Sequence, residues 1–341
     1  MKQSIYISVL SVISSFAVIM LHTNSCFWEF SRERYWITAN VIECVMYFAV
    51  PIFFMISGAT LINYRERYST KQYFEKRIKK TVIPFVTWSI IGLIYCVLRD
   101  RIILKEISFL NILEMMFNTQ IIGIYWFFIS LFAVYMAIPV FSAIPKEKRK
   151  SIFTYLAIFG FVFNCLLPFC ATILNFSYNN SLRIGVASEY LLYIIIGYLL
   201  HEYECDKRFR LVVYIMGVFG LILHIAGTYY LSISAGNIIT TFKGYNNLPC
   251  VLYSCGIFVF AKQCVGRIEK SKIVQFIISL NQYTFSVYLM HWFVMDILIS
   301  VFDINIKTIG FRVGAPVIIF IFCVLIAKLV RKIPIAKYLL P

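Results

Sequence analysis

Charged residues and polar segments are scarce in this chain. Only 14% of its 341 residues are charged, whereas 61% are hydrophobic and the mean hydropathy is +0.81. A soluble globular protein carries roughly 25% charged and 45–50% apolar residues, and no polar stretch of domain length separates the apolar segments here. The composition excludes disordered, collagen-like and nucleic-acid-binding proteins, and it predicts an all-α, polytopic membrane protein.

Familiar catalytic and binding signatures are missing as well. The sequence has no glycine-rich phosphate loop, no G-x-S-x-G nucleophile elbow and no C-x-x-C pair. Its ten cysteines are expected to be buried free thiols, and we expect neither a metal site nor a permanently bound cofactor. Any chemistry must therefore rest on polar side chains on or beside the spanning helices, where the bilayer makes such groups costly.

Ten apolar stretches are long enough to span a bilayer, so we expect about ten transmembrane helices. Of the 32 Lys and Arg residues, 23 lie in one alternate set of connections, which includes both termini, and 9 lie in the other. Because cytoplasmic loops carry the Lys/Arg excess, both termini are predicted to be cytoplasmic. We expect one integral-membrane domain over residues 1–341, without a soluble domain. The predicted spans are residues 5–22, 41–62, 79–98, 121–143, 152–172, 184–200, 211–231, 247–265, 276–300 and 309–330.

One face of the first predicted helix is polar. On a helical wheel, Ser4, Ser8, Ser11, Ser15 and His22 fall within about 60° of one another. Small and polar residues on one face favour contact with other helices over contact with lipid. The histidine lies near the outer end of the span and is a candidate for proton transfer. The alternative is a helix-end histidine that bonds a neighbouring loop.

Four further residues near the outer side or within spans are candidates for a supporting role. Glu43, at the outer start of the second span, can orient the His22 imidazole; the alternative is an interfacial glutamate in contact with water. His291 in the ninth span is either functional or a core histidine. Arg312 either snorkels or contacts an anionic acceptor, and Trp126 lies in an aromatic cluster typical of a membrane interface.

The second connection is strongly basic. Lys76, Arg77, Lys79 and Lys80 place four cations in five residues at the start of the third span. Cations at a helix start oppose the helix dipole, so the cluster is easier to explain if it binds an anion such as a phosphate group. The alternatives are a plain topological anchor and a contact with anionic membrane lipid.

Several segments occur in an order that resembles one family. His22 ends the first span, and four further segments follow it in the order and with the spacing found in that family. On these motifs, the chain resembles the integral-membrane acyltransferase type-three family over nearly its whole length, and it is most similar to the bacterial surface-polysaccharide O-acyltransferase branch. The segments are VPIFFMISGATL, FEKRIKKTVIPF, YWFFISLFAVYMAIPVF and FSVYLMHW.

This resemblance implies a helix bundle in the bacterial plasma membrane that moves an acetyl or other acyl group from cytoplasmic acyl-coenzyme A to a hydroxyl of an extracytoplasmic or lipid-linked glycan. The family's essential first-helix histidine matches His22, and its R-x-x-R motif matches Arg77 with Lys80 in the second place. Lysine keeps the charge but lacks the guanidinium fork. Ser11 stands where the family usually has arginine. A separate extracellular or glycan-synthesis protein is an expected partner.

The sequence leads to one mechanism and two alternatives. We expect the coenzyme phosphates to bind Arg77, Lys79 and Lys80, and the thioester to reach His22 along a polar passage. His22 then acts as a general base or as the acyl carrier. The competing hypotheses are a flippase or exporter of lipid-linked sugar, and a non-enzymatic membrane protein that partners a glycan synthase.

Overall fold

The regular elements of the chain are helices. A computed structural model describes residues 4–333 and 339–340, and no strand occurs among them. Nine helical segments in these residues are long and apolar enough to cross a membrane, which confirms an all-α, polytopic membrane protein. The helices are α1 (Ile5–Thr23), α2 (Arg34–Met46), α3 (Ala49–Leu61), α4 (Thr70–Arg77), α5 (Ile83–Leu98), α6 (Phe109–Phe117), α7 (Trp126–Ala143), α8 (Lys146–Phe161), α9 (Leu167–Ile173), α10 (Tyr190–Glu202), α11 (Lys207–Ala235), α12 (Leu248–Val265), α13 (Lys272–Leu280), α14 (Thr284–Phe302) and α15 (Ile309–Val330).

The described residues form two compact units. The first unit holds the chain as far as Ile62 together with Ile144–Val324, and the second holds Asn63–Ala143 and the chain from Leu325 onward. The first unit therefore contains α1 to α3, α8 to α14 and most of α15. The second unit contains α4 to α7 and the end of α15.

Local sequence explains the helix ends that matter for the site. At the end of α1 the Thr23 hydroxyl shares its single hydrogen between nearby carbonyl oxygens, including those of Ile19 and Met20, and the backbone N–H of Asn24 donates to the Met20 carbonyl oxygen at 3.0 Å. These bonds close the last turn and satisfy backbone carbonyls that a helix end leaves unpaired. Ser69 and Gln72 form a capping box that begins α4.

The sixth predicted span is shorter than expected. Instead of a helix over residues 184–200, the chain makes a short 3-10 turn over Gly185–Ala187 and then forms α10, which has 13 residues. Glu189, just before α10, has a positive φ of 50° that no continuous right-handed helix adopts. A helix of this length extends about 20 Å, less than the roughly 30 Å of a bilayer core. Nine spanning segments result among the described residues, rather than ten.

Two glycines let α3 and α10 approach to backbone contact. A Cβ atom added at Gly58 would lie 2.0 Å from the carbonyl oxygen of Ile194, and one added at Gly197 would lie 2.2 Å from that of Met55. Small residues at such crossings allow dispersion contacts along the whole interface in a membrane, where no hydrophobic effect drives helices together. This contact fixes α3, which follows the Glu43-bearing helix α2, inside the first unit.

Substituting Gly197 with alanine is expected to destabilise the protein, because the methyl group would meet backbone rather than a movable side chain. Overpacking of this kind costs about 1–3 kcal/mol. The measurement is the apparent melting temperature of the detergent-solubilised protein. Gly314→Ala is the matched control: a Cβ there meets no described atom within 4 Å, so the higher helix propensity of alanine should keep or raise the melting temperature. Equal melting temperatures for the two variants would contradict the prediction.

Candidate functional site

Two histidines lie side by side in the first unit. His22 is in the last turn of α1 and is half-buried, whereas His291, on α14, is fully buried. Their ring centroids are 5.2 Å apart and the rings are tilted by 35°. The structure thus brings together two residues that the sequence suggested separately, one as the catalytic candidate and the other as a supporting candidate.

The hydrogen bonds of His291 define its tautomer. Its Nδ1 lies 2.7 Å from the carbonyl oxygen of Tyr288 and 3.1 Å from that of Val287. Carbonyl oxygens only accept, so Nδ1 carries the proton and Nε2 of the neutral ring is an acceptor. Nε2 is buried and has no hydrogen-bond partner among residues 4–333 and 339–340. A buried acceptor without a partner is costly, so this atom is suited to receive a proton or hydrogen bond from a ligand or from His22.

The serine face of α1 points into the unit, as its spacing predicted. Ser8 and Ser15 are buried. The Ser11 hydroxyl lies 3.3 Å from the Thr284 hydroxyl at the start of α14, and the Ser15 hydroxyl donates to the Thr284 carbonyl oxygen at 3.4 Å. The face that carries His22 therefore contacts the helix that carries His291. At the position where the resemblance places an arginine, Ser11 supplies only a small hydroxyl.

Arg312, on α15, also lies at the end of α1 that carries His22. It is 1% exposed, and its guanidinium donates to the Tyr35 carbonyl oxygen at 3.1 Å and to the Thr38 hydroxyl at 2.9 Å. Its carbonyl oxygen accepts a bond from the Thr23 hydroxyl, next to His22, at 3.3 Å. Arg312 neither snorkels to the surface nor presents its charge there. It connects α15 to α2 and to the end of α1.

Glu43 has partners other than the one first considered. Its Oε1 accepts a bond from the Lys243 ammonium at 2.8 Å, and its Oε2 accepts one from the Asn24 amide at 3.3 Å. The Asn24 amide also donates to the Ala39 carbonyl oxygen at 2.9 Å. The carboxylate is therefore linked to the His22 end of α1 through Asn24, in place of the direct bond to the imidazole that the sequence suggested.

Lys243 is not among the residues that the sequence patterns single out, although two signals point to it. Glu43 stands in an apolar segment, and a buried carboxylate needs a cation or several donors. Lys243 is the sole charged residue in the connection 236–247 between two apolar segments. The side chains of the pair are 1% and 4% exposed. Matching an acid in an apolar segment with the lone lysine of a connection would have proposed the pair, but not its geometry.

The second unit holds the basic residues that were predicted to bind an anion. Arg77 is the last residue of α4, and a π-helical turn over Ile78–Val82 joins it to α5. Its guanidinium carbon lies 5.8 Å from the ring centroid of Tyr73 and 5.3 Å from that of Tyr135. Its Nε is buried and has no hydrogen-bond partner within the part of the chain that the structure describes. Two aromatic rings thus orient the guanidinium, and one of its donors remains available.

The lysines of this cluster differ in their surroundings. Lys80 is exposed. Lys79 lines an open cavity of about 430 Å³ whose charged lining is mostly basic. The cavity is large enough for a phosphate group, and lysine binds phosphate as a point charge. Its lining residues are Arg67, Tyr68, Gln72, Glu75, Lys76 and Lys79.

Other groups contribute less. Trp126 begins α7 in the second unit, with its ring 6.3 Å from that of Phe127. Burial raises the pKa of the Cys26 thiol, in the turn that follows α1, so the thiol stays protonated near neutral pH and is a poor nucleophile. In the described residues, no group of three or more His, Cys, Asp or Glu side chains could hold a metal ion.

The sequence matches one protein family over nearly its whole length. No curated protein and no solved structure matches the chain. The family model described as an acyltransferase domain, that of the acyltransferase type-three family, matches residues 4–328, which include every site residue named above. The chain belongs to the acyltransferase type-three family and is a multi-pass membrane acyltransferase.

Proposed function

We propose that the protein transfers an acetyl or related acyl group from cytoplasmic acyl-coenzyme A to a hydroxyl of an extracytoplasmic or lipid-linked glycan, as one domain in the bacterial plasma membrane. The observation that carries the proposal is that His22, at the end of α1, lies next to His291 of α14. Histidine is the side chain best suited to take and return a proton near neutral pH. The family resemblance supplies the donor and the acceptor class.

His22 acts as the general base in the proposed reaction. Its neutral ring takes the proton of the sugar hydroxyl while the hydroxyl oxygen attacks the thioester carbonyl carbon. The carbon–sulfur bond then breaks, and the imidazolium returns its proton to the leaving thiolate. The products are an acyl ester on the glycan and free coenzyme A, and the ring is neutral again. Apolar surroundings favour this transfer over hydrolysis because they exclude water.

His291 assists by accepting a hydrogen bond. When His22 becomes an imidazolium, a neighbouring acceptor stabilises its charge, which is the task of a carboxylate in a catalytic triad. His291 Nε2 is an acceptor by virtue of its tautomer, and the two rings are neighbours. Hydrogen bonds of this kind are commonly long without substrate and shorten in the reacting complex.

His22→Ala is expected to lower acyl transfer by about 10²–10⁴-fold, the usual contribution of a general base. The measurements are label transfer from labelled acetyl-coenzyme A by the purified protein, and mass spectrometry of surface glycans from cells. His201→Ala is the control: its ring contacts Tyr6 near the other end of α1, so its loss should leave turnover near the normal level. Normal glycan acylation by His22→Ala would refute the proposal. Glycan translocation without label transfer would favour transport.

The donor phosphates are proposed to bind Arg77, Lys79 and Lys80. Support comes from the guanidinium held between two tyrosine rings, from its free buried donor, and from the basic cavity beside Lys79. Anionic membrane lipid shares the phosphate chemistry of the coenzyme, so a test has to separate the two. A substrate that carries the thioester but lacks the nucleotide phosphates does so.

Arg77→Ala is expected to raise the KM for acetyl-coenzyme A by about 10–100-fold, which corresponds to the loss of one hydrogen bond to a charged group. The KM for S-acetylpantetheine, which lacks those phosphates, should stay unchanged. Lys71→Ala removes an exposed cation of the same helix and should leave both values unchanged. An equal rise for both thioesters, or no rise for either, would assign Arg77 to topology or lipid contact instead.

A separate protein is proposed to act on the acceptor side. The family resemblance allows an extracellular or glycan-synthesis partner that presents or receives the acylated sugar. The His22–His291 pair would then act on a hydroxyl brought to it. Comparing label transfer by the purified chain with and without extracts of the cell envelope tests this expectation, since a required partner makes activity depend on the extract.

A further inference from the structure

We propose that Lys243 is a positioning residue for His22, acting through Glu43 and Asn24. The inference rests on the proposed role of His22 as the catalytic base. It goes further by assigning a task to a residue of the connection between α11 and α12, distant in sequence from the histidine. Three links carry it: a closed ion pair, an amide bridge, and a rigid connection that presents the lysine.

The ion pair is closed to solvent. The Lys243 ammonium and the Glu43 carboxylate are 2.8 Å apart, and both side chains are almost fully buried. The ammonium also lies 3.5 Å from the ring centroid of Tyr47, a cation–π contact. A buried charge that loses its partner is strongly unfavourable, so each member confines the other. The pair therefore holds the carboxylate in one place on α2.

The amide bridge transmits that position to α1. Asn24 donates through one amide nitrogen to Glu43 and to the Ala39 carbonyl oxygen, both on α2. Its backbone N–H closes the last turn of α1 through Met20, and His22 lies two residues earlier. Moving Glu43 would therefore move the helix end that carries the imidazole. Displacements of about 1 Å at a reacting group can cost about 100-fold in rate.

The connection that presents Lys243 is held by its own hydrogen bonds. Gly236, with φ of 69°, ends α11 in the left-handed conformation that glycine favours. The Ser232 hydroxyl accepts a bond from the Ile239 N–H at 2.9 Å, and the Asn247 amide donates to the Thr241 carbonyl oxygen at 2.6 Å. A lysine on so constrained a loop loses little further freedom when it pairs, unlike a typical surface lysine.

Aromatic rings close the space around the pair. Tyr47 stacks on Tyr245 with centroids 4.3 Å apart and planes 6° apart, and His224 contacts Tyr47 edge-on at 5.2 Å. Burial raises the pKa of the Tyr245 phenol, so it remains neutral. These aromatic side chains thus keep water from the ion pair without adding a negative charge that would compete with Glu43 for Lys243. Low polarity strengthens the electrostatic attraction inside.

The test uses a double variant in which both members of the ion pair are replaced by neutral residues. Glu43→Gln with Lys243→Met removes both charges together and leaves no uncompensated ion in the interior. We expect kcat to fall about 10–100-fold, with the KM for acetyl-coenzyme A unchanged within about twofold, because the donor site is untouched. Asn24→Ala should lower kcat similarly. The triple variant, in which Asn24→Ala is added to the double variant, should have a kcat no lower than that of the double variant. Substitutions of residues that act through one path do not have additive effects.

Lys262→Met is the matched control. Lys262 lies on α12 and donates to the carbonyl oxygens of Leu200, His201 and Tyr203, about 14 residues beyond the start of that helix, or about 21 Å. Its loss should lower the melting temperature and leave kcat unchanged. An equal loss of kcat in Lys262→Met would mean that general destabilisation explains the result, and would overturn the proposal.

Two outcomes separate this inference from the proposed function. If His22→Ala is inactive while the double variant and Asn24→Ala keep normal kcat, the network only supports the fold and the inference is wrong. If His22→Ala is active, the proposed function itself fails. Should the double variant not reach the membrane, Asn24→Ala alone decides, because it removes the bridge and leaves the ion pair intact. Normal kcat in that variant overturns the inference.

Discussion

Water is absent from the hydrocarbon core of a bilayer, so each polar group placed there must find its partner inside the protein. In the first unit, the end of α1 collects several buried polar groups. Thr23 bonds the Arg312 backbone, Asn24 bonds α2, and Glu43 bonds Lys243. Some buried polar atoms of the described residues nevertheless lack a hydrogen-bond partner, among them Oδ1 of Asn24 and Nε2 of His291. The open nitrogen of His291 lies beside His22, at the place where chemistry is proposed.

The arrangement differs from a serine-protease triad in where the negative charge lies. In a triad, a carboxylate bonds the imidazole directly and stabilises its charged form. Here the neighbour of His22 is a neutral histidine. The carboxylate of Glu43 instead accepts a bond from Asn24 and pairs with the Lys243 ammonium. A neutral neighbour adds no negative charge beside His22. The carboxylate is left to hold the helix end.

The parts of the fold that sequence could predict are those set by local periodicity. The serine face of α1 followed from the helical repeat, and its contact with Thr284 confirms it. The Glu43–Lys243 pair joins residues 200 positions apart, and nothing local encodes which acid meets which base. Arg312 was ambiguous because its bonds are to backbone and hydroxyl groups of α2. The short α10 was missed because hydropathy does not register the positive φ at Glu189.

The sequence separation of the ion pair also bears on how the chain is assembled in the membrane. Chains are synthesised at about 5–20 residues per second, so Glu43 is made roughly 10–40 s before Lys243. Throughout that interval α2 carries an acid whose partner does not yet exist. The acid therefore has to lie at the membrane interface, where water solvates it, or bond a different donor. On the proposed role of Lys243, the end of α1 reaches its final position only after α11 and α12 have inserted, which makes the proposed site form late in biogenesis.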